Sequence, residues 1–221
     1  MTELEFNRLS KDLHSLVKIV PLNWGSIQND STDSQIDMWK INTFAELEGK
    51  LIDLRENSKI YFRRRWFLWK CAQCDEHIFA MNKNVTQNPN ARDQAYDIEF
   101  YDIPSLRFDV KGTVIPRSFR VNVPQVLQDP TNMIKFYYDE QSKGIRNNHQ
   151  NRLFIVHHSF VVQEREMYLR CNWEYKKLVY QEYSSRIQLD SNFVNYQNTK
   201  SDVVFIIENL DKTITHKFFA V

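Results

Sequence analysis

An alternation of apolar and polar residues between positions 97 and 111 constrains the fold more than any other segment. Side chains alternate across a β-strand, so residues two apart share a face. Two runs with this pattern flank a short segment, 102–104, that has the length and composition of a hairpin loop. In both runs one face is apolar, and its members are Ile98, Phe100, Leu106, Phe108 and Val110. The segment therefore predicts a β-hairpin with one buried face.

The opposite face of the predicted hairpin is polar. Its members are Asp97, Glu99, Tyr101, Arg107, Asp109 and Lys111. A three-residue loop sets Glu99 opposite Arg107 and Asp97 opposite Asp109. Directly opposed side chains lie about 5 Å apart at Cβ, so two carboxylates placed in this way repel unless a cation lies between them. Mg²⁺ is the expected ion and Mn²⁺ the alternative, because Mg²⁺ favours one or two carboxylates plus water and phosphate oxygens.

Lys111 follows Asp109 by two positions and shares its face of the strand. A metal ion held by the two acids would neutralise charge on a phosphodiester and acidify a bound water. A lysine beside it can orient that water, or accept its proton if the lysine pKa is lowered. The same pattern is also typical of a solvated face held by salt bridges, so the residues alone leave both interpretations open.

The pattern of Asp97 followed by Asp-Val-Lys at 109–111 resembles the signature of the PD-(D/E)XK nuclease superfamily. In that signature an acid and a short hairpin precede an acid, any residue and a lysine. The Gly-Thr pair at 112–113 is similar to restriction-endonuclease-like members. The predicted order of helix, hairpin, helix, strand and helix over about residues 60–183 also resembles the family core. The chain departs from the signature in having no proline before Asp97 and an aspartate, not a glutamate, at position 109.

The resemblance implies a metal-dependent DNA endonuclease of the type II restriction or phage-defence kind, with DNA as substrate and a homodimer as one expected assembly. Asp97 and Asp109 match the metal-binding acids, and Lys111 matches the catalytic lysine. Some members add an acid from the helix before the hairpin, where Glu76 is the better match and Asp75 the second. Three other acids stay open as alternatives to Asp97 for the first metal ligand: Asp93, Glu99 and Asp102.

The fold class expected from the resemblance is mixed α/β, with a central mixed β-sheet flanked by helices and a restriction-endonuclease-like core. Residues 58–221 are assigned to this core, and residues 1–57 to an N-terminal helical extension packed on it. The pair Thr43 and Glu46 predicts the start of a helix in the extension. The apolar run 153–156 is typical of a buried central strand. With 4 glycines and 6 prolines in 221 residues, a long flexible linker is not expected.

Four basic residues in an aromatic-rich predicted helix are candidates for contacts to the DNA backbone: Arg63, Arg64, Arg65 and Lys70. The formal net charge of +1 gives no sign of a nucleic-acid partner, so any basic surface must be local. The other interpretation is that the arginines form salt bridges beside a packed aromatic core. His157, His158, Gln150 and Arg152 flank the apolar run and are weaker candidates for the site.

The three cysteines are Cys71, Cys74 and Cys171, a number and spacing that predict free thiols rather than disulfides. A structural zinc site needs about four ligands, and only His77 and Cys171 could supplement the Cys71–Cys74 pair, so buried thiols are the preferred interpretation. Neither a signal-peptide pattern nor a membrane-length apolar run is found, which predicts a soluble cytoplasmic protein without membrane association.

Two other classes of function stay open at this point. The chain could be a catalytically inactive nuclease-fold module for nucleic-acid binding or protein assembly, with the acidic hairpin as a charged surface only. The aromatic content of 14% and the near-neutral charge also fit a protein–protein interaction domain.

Overall fold

The computed structural model of the protein describes residues 1–22, 24–90, 95–141 and 150–221. The chain divides into two compact units, residues 1–74 and 75–221. The division falls within the long helix Glu56–Ala80, whereas the sequence placed the domain boundary near residue 57.

The first unit is helical. Its helices are α1 (Glu3–Leu16), α2 (Asp30–Asp33), α3 (Phe44–Leu51) and the larger part of α4 (Glu56–Ala80), with a 3₁₀ turn at Met38–Lys40. The Thr43 side chain accepts a hydrogen bond from the Glu46 N–H, and the Glu46 carboxylate accepts one from the Thr43 N–H. This capping box satisfies backbone donors at the start of α3, as the sequence predicts.

The described residues of the second unit form seven strands and four further helices. The strands are β1 (Val85–Gln87), β2 (Ile98–Phe100), β3 (Arg107–Val114), β4 (Arg152–Ser159), β5 (Val194–Tyr196), β6 (Thr199–Glu208) and β7 (Ile214–Phe218). The helices are α5 (Val123–Gln128), α6 (Thr131–Gln141), α7 (Arg165–Arg170) and α8 (Trp173–Arg186), with 3₁₀ turns at Pro104–Leu106 and Arg117–Asn122. The prediction of a mixed α/β fold is confirmed.

The seven strands form one mixed sheet in the order β1-β2-β3-β4-β6-β5, with β7 also paired to β6. The first three strands pair antiparallel, whereas β3 pairs parallel with β4 and β4 pairs parallel with β6. Strand β4 is buried along its whole length, as the apolar run 153–156 predicts.

Helices pack on both faces of the sheet. Residues of α5 and α6 form an apolar cluster with Phe154 and Val156 of β4 and with three residues of β6: Val203, Phe205 and Ile207. On the other face, the last turns of α4 and helix α8 cover β2 and β7, where Phe79 and Tyr183 pack against Phe100 and Phe218. Phe100 belongs to the apolar face of the hairpin, so α4 and α8 cover that face.

The hairpin has the predicted register. Ile98 pairs with Phe108 and Glu99 pairs with Arg107. The pairing ends there, and the Asp97 N–H donates to the carbonyl of Phe108 at 2.9 Å rather than to that of Asp109. All five residues assigned to the apolar face are buried, with at most 2% exposed: Ile98, Phe100, Leu106, Phe108 and Val110.

Two local features differ from the sequence-based expectation. The polar segment 82–92 is expected to be a loop, but Val85–Gln87 pairs with β2 because an antiparallel edge needs only three residues of extended chain. The helix expected over 166–183 is two helices, because the Asn172 side chain caps the backbone N–H of Tyr175 and starts α8 anew. No helix of the described residues is long and apolar enough to cross a membrane.

Candidate metal centre

The carboxyls of Asp97 and Asp109 lie close enough to interact where the hairpin joins the parallel part of the sheet. The Asp97 Oδ2 accepts a hydrogen bond of 2.7 Å from the backbone N–H of Val110, which fixes this carboxyl beside β3. Asp109 is 4% exposed and its charge acts directly on Asp97. The hairpin backbone therefore holds two acids side by side at the start of the parallel part of the sheet.

Glu76 joins these acids from helix α4. Its Oε2 accepts a hydrogen bond of 3.2 Å from the Gln87 side chain on β1. Among neighbouring charges, Asp97 has the largest effect on the pKa of Glu76 and raises it, while the cation Lys111 lowers it. The helix before the hairpin thus supplies a third carboxyl to the same place. This group of Glu76, Asp97, Asp109 and Lys111 is called the acidic cluster below.

Two carboxyls of the acidic cluster hold their protons more tightly than usual. Burial raises the pKa of Glu76 to about 8, and the neighbouring charge of Asp97 adds to the shift. Burial also raises the pKa of Asp97 to about 6, with the charge of Asp109 as the next cause. Removal from water and mutual repulsion both disfavour the ionised form. The cluster therefore carries more acidic groups than its own cations neutralise.

Asp109 has two cations near its carboxylate. The Lys111 Nζ donates to Oδ1 at 2.5 Å. The other oxygen, Oδ2, is buried and has no hydrogen-bond partner among the described residues, and the Arg152 Nε lies 3.7 Å from it. Arg152 opens β4 directly beside Asp109, and its guanidinium lies over the Tyr138 ring at 4.5 Å. Lys111 is 38% exposed, so its ammonium reaches solvent.

The chemistry of this donor set fits a hard divalent cation. Carboxylate oxygens are the protein ligands that Mg²⁺ and Mn²⁺ prefer, and Mg²⁺ needs only one or two of them because it keeps several waters. The buried Oδ2 of Asp109, which lacks a hydrogen bond within the described part of the chain, is an oxygen that such an ion would satisfy. In the described ranges, however, no three acidic, histidine or cysteine side chains are arranged as a complete ligand set.

No family model, no curated protein and no solved structure matches the chain. The resemblance to the PD-(D/E)XK superfamily therefore rests on residues 97–111 and on the order of elements around them.

The described alternatives to Asp97 as the first metal ligand, Glu99 and Asp102, have partners outside the acidic cluster. Glu99 is ion-paired with Arg107, whose Nε lies 3.1 Å from Oε1. Asp102 lies in the exposed loop, where its backbone has a φ of 54° and its Oδ1 accepts from the Thr86 hydroxyl at 2.8 Å. Asp93 lies outside the described residues. Of the described candidates, Asp97 alone is placed next to both Asp109 and Glu76.

Asp75, the second choice for the helix acid, turns away from the acidic cluster. It is 2% exposed, and its Oδ1 accepts from the Lys176 ammonium at 2.7 Å and from the Tyr180 hydroxyl at 2.8 Å. Neighbouring residues of a helix differ by about 100° in direction, so one acid of the pair 75–76 faces β1 and the other faces α8.

The four basic candidates for DNA contacts all have partners within the first unit. Arg63 donates twice to the Glu48 carboxylate at 2.8 Å, and Arg65 pairs with Asp33. Arg64 donates to the carbonyl of Pro21 and stacks over Trp24, while the Lys70 ammonium lies 3.9 Å from the centre of the Trp69 ring. A role for them in DNA binding stays a prediction.

His157, His158 and the three cysteines are all buried. Burial lowers the pKa of His157 well below its usual value, so it is neutral, and its Nδ1 lies 3.1 Å from the carbonyl of Thr113. The His158 Nδ1 lies 3.3 Å from the Glu166 carboxylate, and the Arg120 guanidinium donates two hydrogen bonds to the same carboxylate. The cysteines are buried thiols outside any disulfide among the described residues, as predicted: Cys71, Cys74 and Cys171.

Sequence reasoning missed three contributors to the surroundings of the acidic cluster. Gln87 holds Glu76 from a segment expected to be a loop. Lys176 and Tyr180 lie about 100 residues after the acid they bind, so no local spacing connects them with it. A lysine and a tyrosine at i and i+4 share one helix face, and this was the one signal the sequence offered.

Proposed function

We propose that the protein is a metal-dependent DNA endonuclease that hydrolyses phosphodiester bonds and has a restriction-endonuclease-like core, with a role in restriction or phage defence. The observation that carries the proposal is that Asp97 is held against β3 beside Asp109, whose carboxylate binds Lys111, while the charge of Asp97 acts on Glu76 of helix α4. A strongly perturbed pair of carboxyls beside a lysine is typical of a functional site rather than a packed core.

The sheet supports this proposal. In the resemblance, a helix precedes a hairpin that carries the acids, and a helix, strand and helix follow. Helix α4, the β2–β3 hairpin, helices α5 and α6, strand β4 and helices α7 and α8 have this order. The parallel pairing of β3 with β4 places the acid-bearing strand inside the sheet, where its position is fixed on both sides.

Each residue of the acidic cluster has its own role in the proposed reaction. Asp97, Asp109 and Glu76 would hold Mg²⁺ or Mn²⁺, and such an ion when bound neutralises developing charge on a phosphate and acidifies a bound water. The Lys111 ammonium, which shares the acidic cluster and reaches solvent, would orient the attacking water or hold a phosphate oxygen. The Val110 N–H keeps Asp97 turned toward β3 throughout.

A second candidate is the catalytically inactive module of the same fold. The observation that favours it is that Lys111 already neutralises Asp109, with Arg152 close by, so this acid is compensated without a metal ion. Such a module would bind nucleic acid or a partner protein and cut nothing.

Cleavage of supercoiled plasmid and linear duplex DNA in Mg²⁺ or Mn²⁺ tests the two candidates. Asp109→Asn and Lys111→Met are each expected to lower the cleavage rate by about 100-fold or more, the scale of losing a metal ligand or a proton-transfer group. Glu99→Gln is the matched control, because this acid lies on the same hairpin but is paired with Arg107.

Three outcomes separate the proposals. Metal-dependent cutting that is lost in both site variants and kept in the control supports the nuclease. Equal cutting by wild type and both variants would point to a contaminant and refute it. Binding of duplex DNA without cutting supports the inactive module, and a parallel RNA substrate decides between the two nucleic acids.

A further inference from the structure

A second group of charges is buried around Asp75, the residue that precedes Glu76 in α4. The Lys176 Nζ donates to the Asp75 Oδ1 at 2.7 Å, and the Tyr180 hydroxyl donates to the same oxygen at 2.8 Å. Lys176 and Tyr180 are 0% exposed and Asp75 is 2% exposed. These three residues are called the anchor below. Burying an ion pair costs so much desolvation that apolar residues of the same volume often stabilise a fold equally well or better.

The anchor joins two helices at the turn that carries Glu76. Asp75 belongs to α4, whereas Lys176 and Tyr180 belong to α8. The Tyr180 ring also stacks on Phe79, one turn further along α4, with ring centres 4.0 Å apart and planes 6° apart. Because the anchor holds Asp75 on one side of the helix, it fixes the rotation of α4 and with it the direction of Glu76.

The anchor also lies against the strand that carries the other catalytic candidates. A Cβ atom at Gly112 would lie 2.9 Å from the Arg170 Nη1 and 3.7 Å from the Asp75 Oδ2. The glycine that directly follows Lys111 therefore allows β3 to approach these buried charges closely. The anchor touches both elements that must be aligned for Glu76 to meet the hairpin acids.

We infer that Asp75, Lys176 and Tyr180 are positioning residues, which set the direction of Glu76 and its distance from Asp97 and Asp109. The inference rests on the proposed function, because it assigns the anchor a role in holding the metal ligands. Polar groups that orient metal ligands from behind typically change metal affinity by 10- to 100-fold when they are removed.

Tyr180→Phe is the test variant, since it removes one hydroxyl and keeps the ring on Phe79. Tyr183→Phe is its matched control: this tyrosine is on the same helix and fully buried, and its hydroxyl donates to a carboxylate, Asp202, at 2.9 Å. Mn²⁺ binding is measured from the electron paramagnetic resonance signal of the free ion. Tyr180→Phe is expected to weaken Mn²⁺ binding about tenfold, and Tyr183→Phe by less than about twofold.

A double variant tests the same role without leaving a single buried charge that could prevent folding. Asp75→Asn combined with Lys176→Met removes both charges of the anchor and leaves neither one uncompensated. Its expected effect is also about tenfold weaker Mn²⁺ binding, with DNA cleavage that recovers at saturating Mn²⁺. A purely structural role would lower the thermal midpoint without changing the Mn²⁺ concentration needed for half-maximal cleavage.

The outcomes distinguish failure of the positioning role from failure of the proposed function. Wild-type Mn²⁺ binding with equal affinity in Tyr180→Phe, Tyr183→Phe and the double variant would overturn the inference and leave the proposed function standing. Absence of Mn²⁺ binding by the wild type would overturn both. Selective weakening in the two anchor variants supports the inference.

Discussion

Metal binding at the acidic cluster should release protons, and the affinity should therefore depend steeply on pH. Burial raises the pKa of Glu76 to about 8. A divalent cation binds the carboxylate and competes with the proton, so its affinity falls as the pH drops below this pKa. The ionised fraction of Glu76 rises from about 1% at pH 6 to about 50% at pH 8, which predicts a decrease of about 50-fold in the apparent Mn²⁺ dissociation constant.

Asp97 contributes much less over the same interval. Its pKa is raised to about 6, so it is about half ionised at pH 6 and adds a factor of about two. Glu76→Gln removes the group that titrates near pH 8. The variant is expected to bind Mn²⁺ more weakly at pH 8 because a ligand is lost, and its dissociation constant should change only about twofold between pH 6 and pH 8.

Titrations of the free Mn²⁺ resonance signal at constant ionic strength measure both dissociation constants across this pH range. Glu174→Gln is the control, because this acid is on the surface of α8, where its side chain is 86% exposed and paired with Lys177. A wild-type affinity that does not change with pH, or a Glu76→Gln variant with the full wild-type slope, would refute the assignment of the titrating group.

Two further predictions concern stability and are measured by urea denaturation. Gly112→Ala is expected to lower the free energy of unfolding by about 1 kcal/mol, because the new Cβ lies 2.9 Å from the Arg170 Nη1 and the buried end of this side chain must shift. Gly49→Ala, with open space around it among the described atoms, should raise the free energy of unfolding by up to about 1 kcal/mol, and equal effects would contradict the crowding at Gly112. Burial raises the pKa of Asp202 to about 6, so the folded state binds this proton more tightly than the unfolded chain and stability falls as pH rises through 6, by up to about 3 kcal/mol. Asp202→Asn should flatten this dependence between pH 4 and pH 7, and an unchanged slope would exclude Asp202 as its source.

The sequence predicts the part of the site that lies in the alternating apolar and polar pattern of residues 97–111. Alternation in two adjacent strands was enough to pair Ile98 with Phe108 and Glu99 with Arg107, because a one-residue shift would have exposed the apolar face. The position of Glu76 could not be predicted from alternation. Its place beside the hairpin follows from the packing of a helix, which no spacing between positions 76 and 97 specifies.

The rest of the surroundings could not be predicted because they depend on distant pairings. Lys176 reaches Asp75 across about 100 residues, and Arg152 reaches Asp109 only because β4 pairs parallel with β3. The basic run 63–65 shows that composition does not identify the partners of a charged side chain. Its composition favours a nucleic-acid contact, whereas acids and a carbonyl of the same unit already bind the three guanidinium groups.

The parallel pairing of β3 with β4 has a consequence for the order in which the protein folds. The acids and Lys111 lie between positions 76 and 111, but the strand that fixes β3 from its other side begins at Arg152. Closing a loop of this length delays the contact, and sheets with such non-local pairings form slowly. A nascent chain that ends before β4 carries every proposed catalytic side chain without the strand that aligns them. Activity should therefore emerge late during synthesis, together with the completed sheet.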